Sequence, residues 1–412
     1  MAFFAALTLK SSIAHHTSCH TVTLANPREN TSMFWSVTDA WEQRKLGDIG
    51  TVSMCRRIFK EQTSEDGCVP FFKIGTFGGQ PDAYISRQLF EDYRKNYPYP
   101  KKGDLLISAS GSIGKTIEYT GNDEYFQDSN IVWLRHDARL VASFLKQFYS
   151  IVKWAGLEGS TIKRLYNKTI LDTNIALPDI KEQVVIGNFF HALDNLIALQ
   201  QRKLEALQKL KQGYLQQLFP QEGETVPRVR FAGFCGEWES KKLGEVAGVV
   251  MGQSPDSKNY TDNPKDYILV QGNADMKNGR VTPRVWTTQV TKSANKGDLI
   301  ISVRAPVGDI GKTDYDVVLG RGVAAVKGNE FIYQTLMGMK LFGYWERVSS
   351  GSTFESINSS DLKDAEILYP SHSEQVVIGL FFHTIDKQIT AQSQKVKQLQ
   401  RLKAAYLQRM FV

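Results

Sequence analysis

The sequence predicts a mixed α/β (α+β) chain: two pseudo-repeated domains joined by two long antiparallel helices. Three observations carry this. The chain is written twice, each copy alternates short strand patterns with helical ones, and each copy closes on an unbroken helical run. A length of 412 residues suits two or three domains.

The repeat is read from its anchors. Trp41-Glu42-x-x-Lys45-Leu46-Gly47-Asp48 returns as Trp238-Glu239-x-x-Lys242-Leu243-Gly244-Glu245. Lys102-Gly103-Asp104-Leu105 returns as Lys296-Gly297-Asp298-Leu299, and Ile113-Gly114-Lys115-Thr116 as Ile310-Gly311-Lys312-Thr313. Gly159-Ser160-Thr161 returns as Gly351-Ser352-Thr353. Glu182 to Gly187 returns unchanged as Glu374 to Gly379, and 21 of 38 positions are identical between 182–219 and 374–411. Between the anchors the halves differ strongly, so a shared frame surrounds divergent contents.

In the first half, Val69–Gly75, Asp104–Ser110 and Ser129–Arg135 read as strands, apolar or β-branched and bounded by Gly, Pro or Asp. Ser143–Trp154 reads as a helix and Thr173–Leu177 as a strand ending at Pro178. The second half matches with strands Tyr267–Gln271, Asp298–Val303 and Val323–Val326, helix Phe331–Val348, and strand Ala365–Tyr369 before Pro370. Asp179-x-x-Glu182 and Ser371-x-x-Glu374 then open the long helices in capping-box fashion. The resulting division is a loose, disordered N-terminal tail over 1–40, a first domain over 41–178 and a first long helix over 179–219. A linker over 220–237, a second domain over 238–370 and a second long helix over 371–412 follow.

Both helices carry a seven-residue apolar pattern, Leu193, Ile197, Leu204, Leu207, Tyr214 and Leu218 in the first, Ile385, Ile389, Val396, Leu399, Tyr406 and Met410 in the second. That is a coiled-coil seam. Polar residues interrupt it at Gln200 and Lys211, and at Gln392 and Lys403. Antiparallel alignment about the midpoints predicts Gln200 against Lys403 and Lys211 against Gln392, with every apolar seam residue facing another.

Composition narrows the function. A net charge of +7 hints at an acidic partner, yet the excess sits in 192–219 and 384–412, so basicity alone marks no base-reading face. No run of 18 or more apolar residues exists, which argues against a membrane span. Cys19, Cys55, Cys68 and Cys235 form no C-x-x-C pair, consistent with a reduced, cytoplasmic setting. His15, His16, Cys19 and His20 cluster, but nothing later has the spacing to close a zinc site.

Several motifs resemble catalytic ones and lack a required part. The two G-K-T triplets have Ala109 and Pro306 where a phosphate-binding loop needs glycine. Pro255-Asp256 with Asp275-Met276-Lys277 resembles a nuclease acid–acid–lysine set, but it is short and has no counterpart in the first half. Asn26-Pro27-Arg28 and Asn263-Pro264-Lys265 lack the second proline and the aromatic of an amino-methyltransferase tetrapeptide. His191 and His383 each follow Phe-Phe near a helix start and read as packing or partner contacts. No metal, cofactor or catalytic set is therefore expected in this chain.

The layout resembles the specificity subunit of type I restriction–modification systems over about residues 41–412. The resemblance is carried by the doubled W-E-x-x-K-L-G opening, K-G-D-L before a strand, the G-S-T turn, the strand ending in proline, and E-Q-x-x-I-G opening a long helix. It implies two target-recognition domains, each reading one half of a bipartite site on double-stranded DNA. The antiparallel helices would set the spacer. Two methylation subunits would dock and carry S-adenosylmethionine, and restriction subunits would bring ATP and Mg. This chain would be non-catalytic. The first half departs from the family: Pro227-Arg228-Val229-Arg230-Phe231-x-Gly233-Phe234 precedes the second repeat, whereas Ser32-Met33-Phe34-Trp35-Ser36-Val37 precedes the first. A stand-alone DNA-binding regulator and a coiled-coil scaffold are the competing readings.

Base reading requires side chains that reach base edges and others that fix register on phosphates. In the second half the candidates are Gln271, Asn273, Lys277, Arg280 and Arg284 on or after a strand, with Arg304, Lys312 and Arg321 beside later ones. In the first half they are Lys73, Thr76 and Gln80, then Ser108, Ser110, Ser112 and Lys115, then Gln127, Asp128 and Ser129.

Overall fold

The computed structural model describes residues 21–24, 33–36, 40–154, 163–349 and 355–411. The cluster of His15, His16, Cys19 and His20 and both G-S-T turns lie outside them. Within the tail, Thr21–Leu24 and Met33–Ser36 pair as antiparallel strands, which a disordered reading did not anticipate. The chain divides into two compact units, residues 1–196 with 399–412, and residues 197–398. Among the described residues no helix is long and apolar enough to cross a membrane.

In the first unit a four-stranded sheet runs in the order Gly50–Met54, Ile131–His136, Leu105–Ser108, Thr116–Glu118. A three-stranded sheet orders Tyr84–Ile85, Val69–Phe72 and Tyr125–Phe126. Their core is a continuous apolar cluster that includes Val69, Phe90, Leu106, Tyr125 and Trp133. In the second unit a six-stranded sheet is built around Val323–Lys327 and Leu299–Ser302, and a five-stranded sheet around Tyr267–Val270 and Val317–Leu319. The expected strands are therefore present, most of them trimmed by one to three residues at an end, while Ile131–His136 and Val323–Lys327 each run one residue further than expected. The expected helix over Phe331–Val348 is two, Glu330–Leu341 and Tyr344–Val348, broken where Gly343 takes φ 70°. The sequence reading missed the helix Arg87–Asn96, whose first turn is capped by Ser86.

The opening motif is a structural clasp. Glu42–Lys45 pairs antiparallel with Asn174–Leu177, and Glu239–Lys242 with Glu366–Tyr369. Leu46 and Leu243 are fully buried behind it. The lysine of each motif reaches the aspartate before the partner strand, Lys45 to Asp172 at 3.1 Å and Lys242 to Asp364 at 2.9 Å. A Cβ on Gly47 would stand 3.1 Å from the Leu171 carbonyl, which is why a glycine follows the leucine.

The match of residues 113–116 with residues 310–313 must be corrected. Gly114 N–H donates to Ser108 O, and Gly308 N–H to Ser302 O. Both glycines have positive φ, 81° and 77°, and both lie against a tryptophan, Trp154 and Trp345. Gly114 thus corresponds to Gly308, and Lys115 to Asp309. The two G-K-T triplets are out of register by three residues, and Lys312 corresponds to Glu118 instead. That strand position bridges to the following helix in both units with the charges exchanged: Glu118 to Lys146 at 2.9 Å and Lys312 to Glu330 at 3.3 Å.

The long helices span Ile180–Leu218 and His372–Met410. Asp179 Oδ1 accepts the Glu182 N–H at 2.8 Å, the capping half of the predicted box. The invariant glutamine that follows is the anchor: Gln183 Oε1 accepts from Val141 N at 2.9 Å, and Gln375 Oε1 from Asn329 Nδ2 at 3.0 Å. Each glutamine also donates to the proline that ends the preceding strand, Pro178 or Pro370.

The seam runs antiparallel within the second unit, where Gln200 meets Gln392, Lys211 meets Asp386, and Tyr214 meets Phe381. The register differs from the expected one. Gln392 donates to the Gln200 side chain at 2.9 Å, in place of Lys403 there. Lys211 takes Asp386 at 2.8 Å in place of Gln392, a displacement of six residues. In the first unit Lys403 takes Asp194 at 2.6 Å. The reason is electrostatic. An amide leaves an ammonium on an apolar seam uncompensated, whereas Asp194 and Asp386, each next to a seam residue, neutralise it.

Candidate nucleic-acid interface

Each unit gathers three loops at one end of its sheets. The first loop leaves a strand pair that runs parallel, Phe71–Phe72 with Tyr125–Phe126 and Ile268–Val270 with Val317–Leu319. Lys73 and Gln271 are the residues that follow, so they are equivalent. The second loop leaves the central strand at Ala109 and Val303. The third is Gln127–Asn130 in the first unit and Gly320–Gly322 in the second: Ala109 N donates to Asn130 O, and Val303 N to Gly322 O. Side chains hold the loops together in the first unit: Gln127 Oε1 accepts Ile74 N at 2.8 Å, and Ser110 Oγ donates to Asn130 Oδ1 at 2.8 Å.

A fourth segment crosses this end, and sequence reasoning missed it. Ser110 bridges Arg164, and Arg304 bridges Ser356. The positions are equivalent, so each unit places one arginine and one serine at this crossing, supplied from opposite strands. Arg164 also donates to Asn130 Oδ1 at 3.1 Å. The signal lay in Lys163-Arg164, a basic pair just after the first G-S-T turn.

The geometry sorts the expected residues. Ser108 and Ser110 are buried. The Ser108 hydroxyl accepts Lys115 N and donates to Ser112 O, closing the turn, and Ser110 is committed to Asn130. Neither serine can reach a base, because the strand turn needs its own hydrogen bonds satisfied first. Thr76 holds the turn through Lys73 N, and Lys115 donates to Phe77 O. Lys73 is exposed enough to pair with Asp82 at 2.9 Å, while Gln80 and Ser112 are exposed at the loop tips. Ser129 takes a left-handed φ of 50° in the third loop, where a non-glycine residue carries strain.

In the second unit Gln271, Asn273, Arg284, Arg304 and Arg321 share the loop end. Gln271 Nε2 donates to Tyr260 at 3.0 Å, and Arg321 N to Ser254 Oγ at 3.0 Å. Asp275 is buried, accepts from Gln271 N at 2.7 Å and pairs with Arg284 at 3.2 Å. It is the brace of this loop. Lys277, Arg280 and Lys312 are separated from the set: Lys312 pairs with Leu299, the opposite end of the strand from Ser302. Arg280 is its neighbour across the sheet and binds Asp314 at 2.8 Å. Lys312 leaves the candidate set because of this position, where it bridges to Glu330 away from the loops. Arg304 and Arg321 are exposed and enter no ion pair among the described residues. Beneath the loops of the first unit, burial pushes the Cys55 thiol up to about 12, so it is neutral and unsuited to nucleophilic work.

Comparison with known proteins finds relatives of the whole two-domain chain. A family model described as the type I restriction modification DNA specificity domain matches residues 38–209 and 236–401. A Haemophilus influenzae protein named as a type I restriction enzyme specificity subunit is 54% identical over 157 residues, 37% of this chain and 41% of that protein. The chain thus spans well under two thirds of that relative. A Methanocaldococcus jannaschii protein, named as the MjaX specificity subunit of a type I restriction enzyme, is 26% identical over 394 residues, 89% of this chain and 92% of that protein. A crystal structure of the S subunit from M. genitalium superposes with a TM-score of 0.61 at 16% identity, covering 90% of this chain and 96% of that one. A structure from work on assembly of the type I R-M system gives 0.54 at 21% identity, covering 92% and 99%.

Proposed function

The chain belongs to the family of type I restriction–modification DNA specificity domains, and we propose that it is the address-reading subunit of such a system, with each recognition domain reading one half of a bipartite DNA site. The observation that carries this is the loop end built twice: one frame, with different polar side chains at equivalent positions. Lys73 answers to Gln271, and the Ser110–Arg164 crossing to Arg304–Ser356. Amides suit adenine and guanidiniums suit guanine or phosphate, so the two domains would read different half-sites. The proposed contact set is Lys73, Gln80, Ser112, Ser129 and Arg164 in the first domain, and Gln271, Asn273, Arg284, Arg304 and Arg321 in the second.

Chemistry falls to partners. Two methylation subunits, carrying S-adenosylmethionine, would dock on the frame, and restriction subunits would use ATP and Mg. The long helices, each 39 residues, would set the spacer. The test is mapping of methylated bases in a host carrying this chain with its methylation subunit. One bipartite sequence should be modified, and purified chain with S-adenosylmethionine alone should modify nothing. Methylation by the chain alone would overturn the reading.

A further inference from the structure

In the second unit the segment before Trp238 docks on the start of a long helix. Arg230 places Nε and Nη2 each 2.7 Å from the two carboxylate oxygens of Glu374, a bidentate pair in which Glu374 is 1% exposed. Arg230 Nη1 also donates to Gly236 O at 2.6 Å. The next residue, Phe231, sets its ring edge-on to Phe381 at 5.5 Å. Glu374 and Phe381 are seven residues apart and so share a helix face. The Arg-Phe pair covers both.

The first unit repeats the receiving side. Glu182 and Phe189 occupy the matching places in the shared E-Q-V-V-I-G-x-F-F-H run. Tyr406 packs on Phe189 at 5.3 Å as Tyr214 packs on Phe381 at 4.9 Å. Yet Phe189 remains 40% exposed. Glu182 is half-buried beside a cavity of about 350 Å³ whose walls include Trp41, Pro178 and Asp179. Arg44 and Arg139 stand on its rim, each held by its own carboxylate, Glu42 and Asp137. Among the described residues no lysine or arginine pairs with Glu182; its carboxylate takes a hydrogen bond from Trp41. In the second unit the guanidinium has replaced that bond, and Trp238 Nε1 is buried with no partner among the described residues. Eight residues before Trp238 stands Arg230, and eight before Trp41 stands Met33.

We infer that Glu182, Trp41 and Phe189 form a peptide-docking site for an extended segment carrying Arg-Phe, of the kind the chain itself has at Pro227–Phe234. The acid and the aromatic are spaced for two consecutive side chains. The forked guanidinium is favoured over an ammonium because it meets both carboxylate oxygens at once. This site is independent of the DNA-reading loops, so its test does not depend on them.

The probe is a synthetic peptide of Thr225–Glu237, titrated calorimetrically into the full chain. Saturable binding at one site is expected. It should weaken by about tenfold or more when Glu182→Gln is made in the chain or Arg230→Lys in the peptide, since a bidentate charge-assisted pair is lost. Phe189→Ala should weaken it independently. Grafting the Thr225–Gly236 sequence over positions 28–39 should raise the Tm and abolish peptide binding. No detectable binding, or binding indifferent to Glu182→Gln, overturns the inference. So does a graft that leaves both the Tm and peptide binding unchanged.

Discussion

Lys211 places a charge on an apolar helix seam, and its surroundings decide what that charge does. Its ammonium lies 2.8 and 3.0 Å from the two oxygens of Asp386 and 5.7 Å from the Tyr333 ring centre, while Gln334 Nε2 donates to the same carboxylate at 2.9 Å. Lys211 is 11% exposed and Asp386 29%, so the pair is partly screened. Asp386→Ala leaves the lysine unpaired and should destabilise the chain by about 2–3 kcal/mol. Adding Lys211→Met should recover most of that, because an apolar residue suits the seam. Urea unfolding of the single and double variants measures both. If the double variant is no more stable than Asp386→Ala, the pair is not what constrains Lys211. The polar seam residues were legible in the sequence, because they break a heptad. Their partners were not, since Asp194 and Asp386 lie one position off the seam and only the packed helices show them reaching in. The I-G-K-T match failed for a related reason: four identical letters outweighed the positive φ that actually fixes Gly114 to Gly308.

At the scale of elements, the long helices were legible because caps, absence of proline and heptads all agree. Short strands were found where β-branched runs are bounded by turn residues, and the polar helix Arg87–Asn96 was missed because it buries only Phe90. What makes the helices a frame is their rooting. A Cβ on Gly187 would stand 2.1 Å from Ser143 Oγ, and one on Gly379 3.0 Å from the Glu330 Cβ, so both glycines permit close crossing of the neighbouring helix. With ends fixed this way, length should be transmitted. Each helix of 39 residues spans roughly 58 Å at 1.5 Å per residue, longer than one DNA turn of about 34–36 Å. One heptad inserted after Gln200 and another before Gln392 keeps the seam in phase, whereas four residues would rotate it by about 40°. The rise of about 10 Å corresponds to roughly three base pairs. The methylated sequence should then keep both half-sites and gain about three base pairs of spacer. An unchanged spacer in a folded variant would remove the ruler from the proposal.

Across the whole molecule, the repeat separates what must stay from what can vary. The constant part is the clasp and the anchor: Lys45 with Asp172 and Lys242 with Asp364, buried Leu46 and Leu243, and the glutamines Gln183 and Gln375. The variable part of the first domain carries its own core, a cluster around Phe71, Tyr125 and Trp133, and in the second Val270 and Leu319 belong to another such cluster, whereas Leu299, Phe331 and Trp345 share theirs with Leu218, Leu243 and Phe382 of the constant frame. This division was visible as anchors with divergent contents, but the base-reading set was only half visible. Sequence position cannot reveal that Ser108 and Ser110 are consumed by a turn, or that Arg164 comes in from a distant segment. Because the first domain's apolar cluster closes on itself, residues 41–178 should be exchangeable for the same region of another family member without loss of folding. Such a chimera, expressed with the methylation subunit, should modify a site with one new half and one unchanged half at the original spacing. The new half should be the one the donor recognises through its own first domain. If both halves changed together, recognition would not be divided between the domains. If neither changed while the chimera folded and methylated normally, the loops of residues 73–80, 109–115 and 127–130 would not be the reading surface.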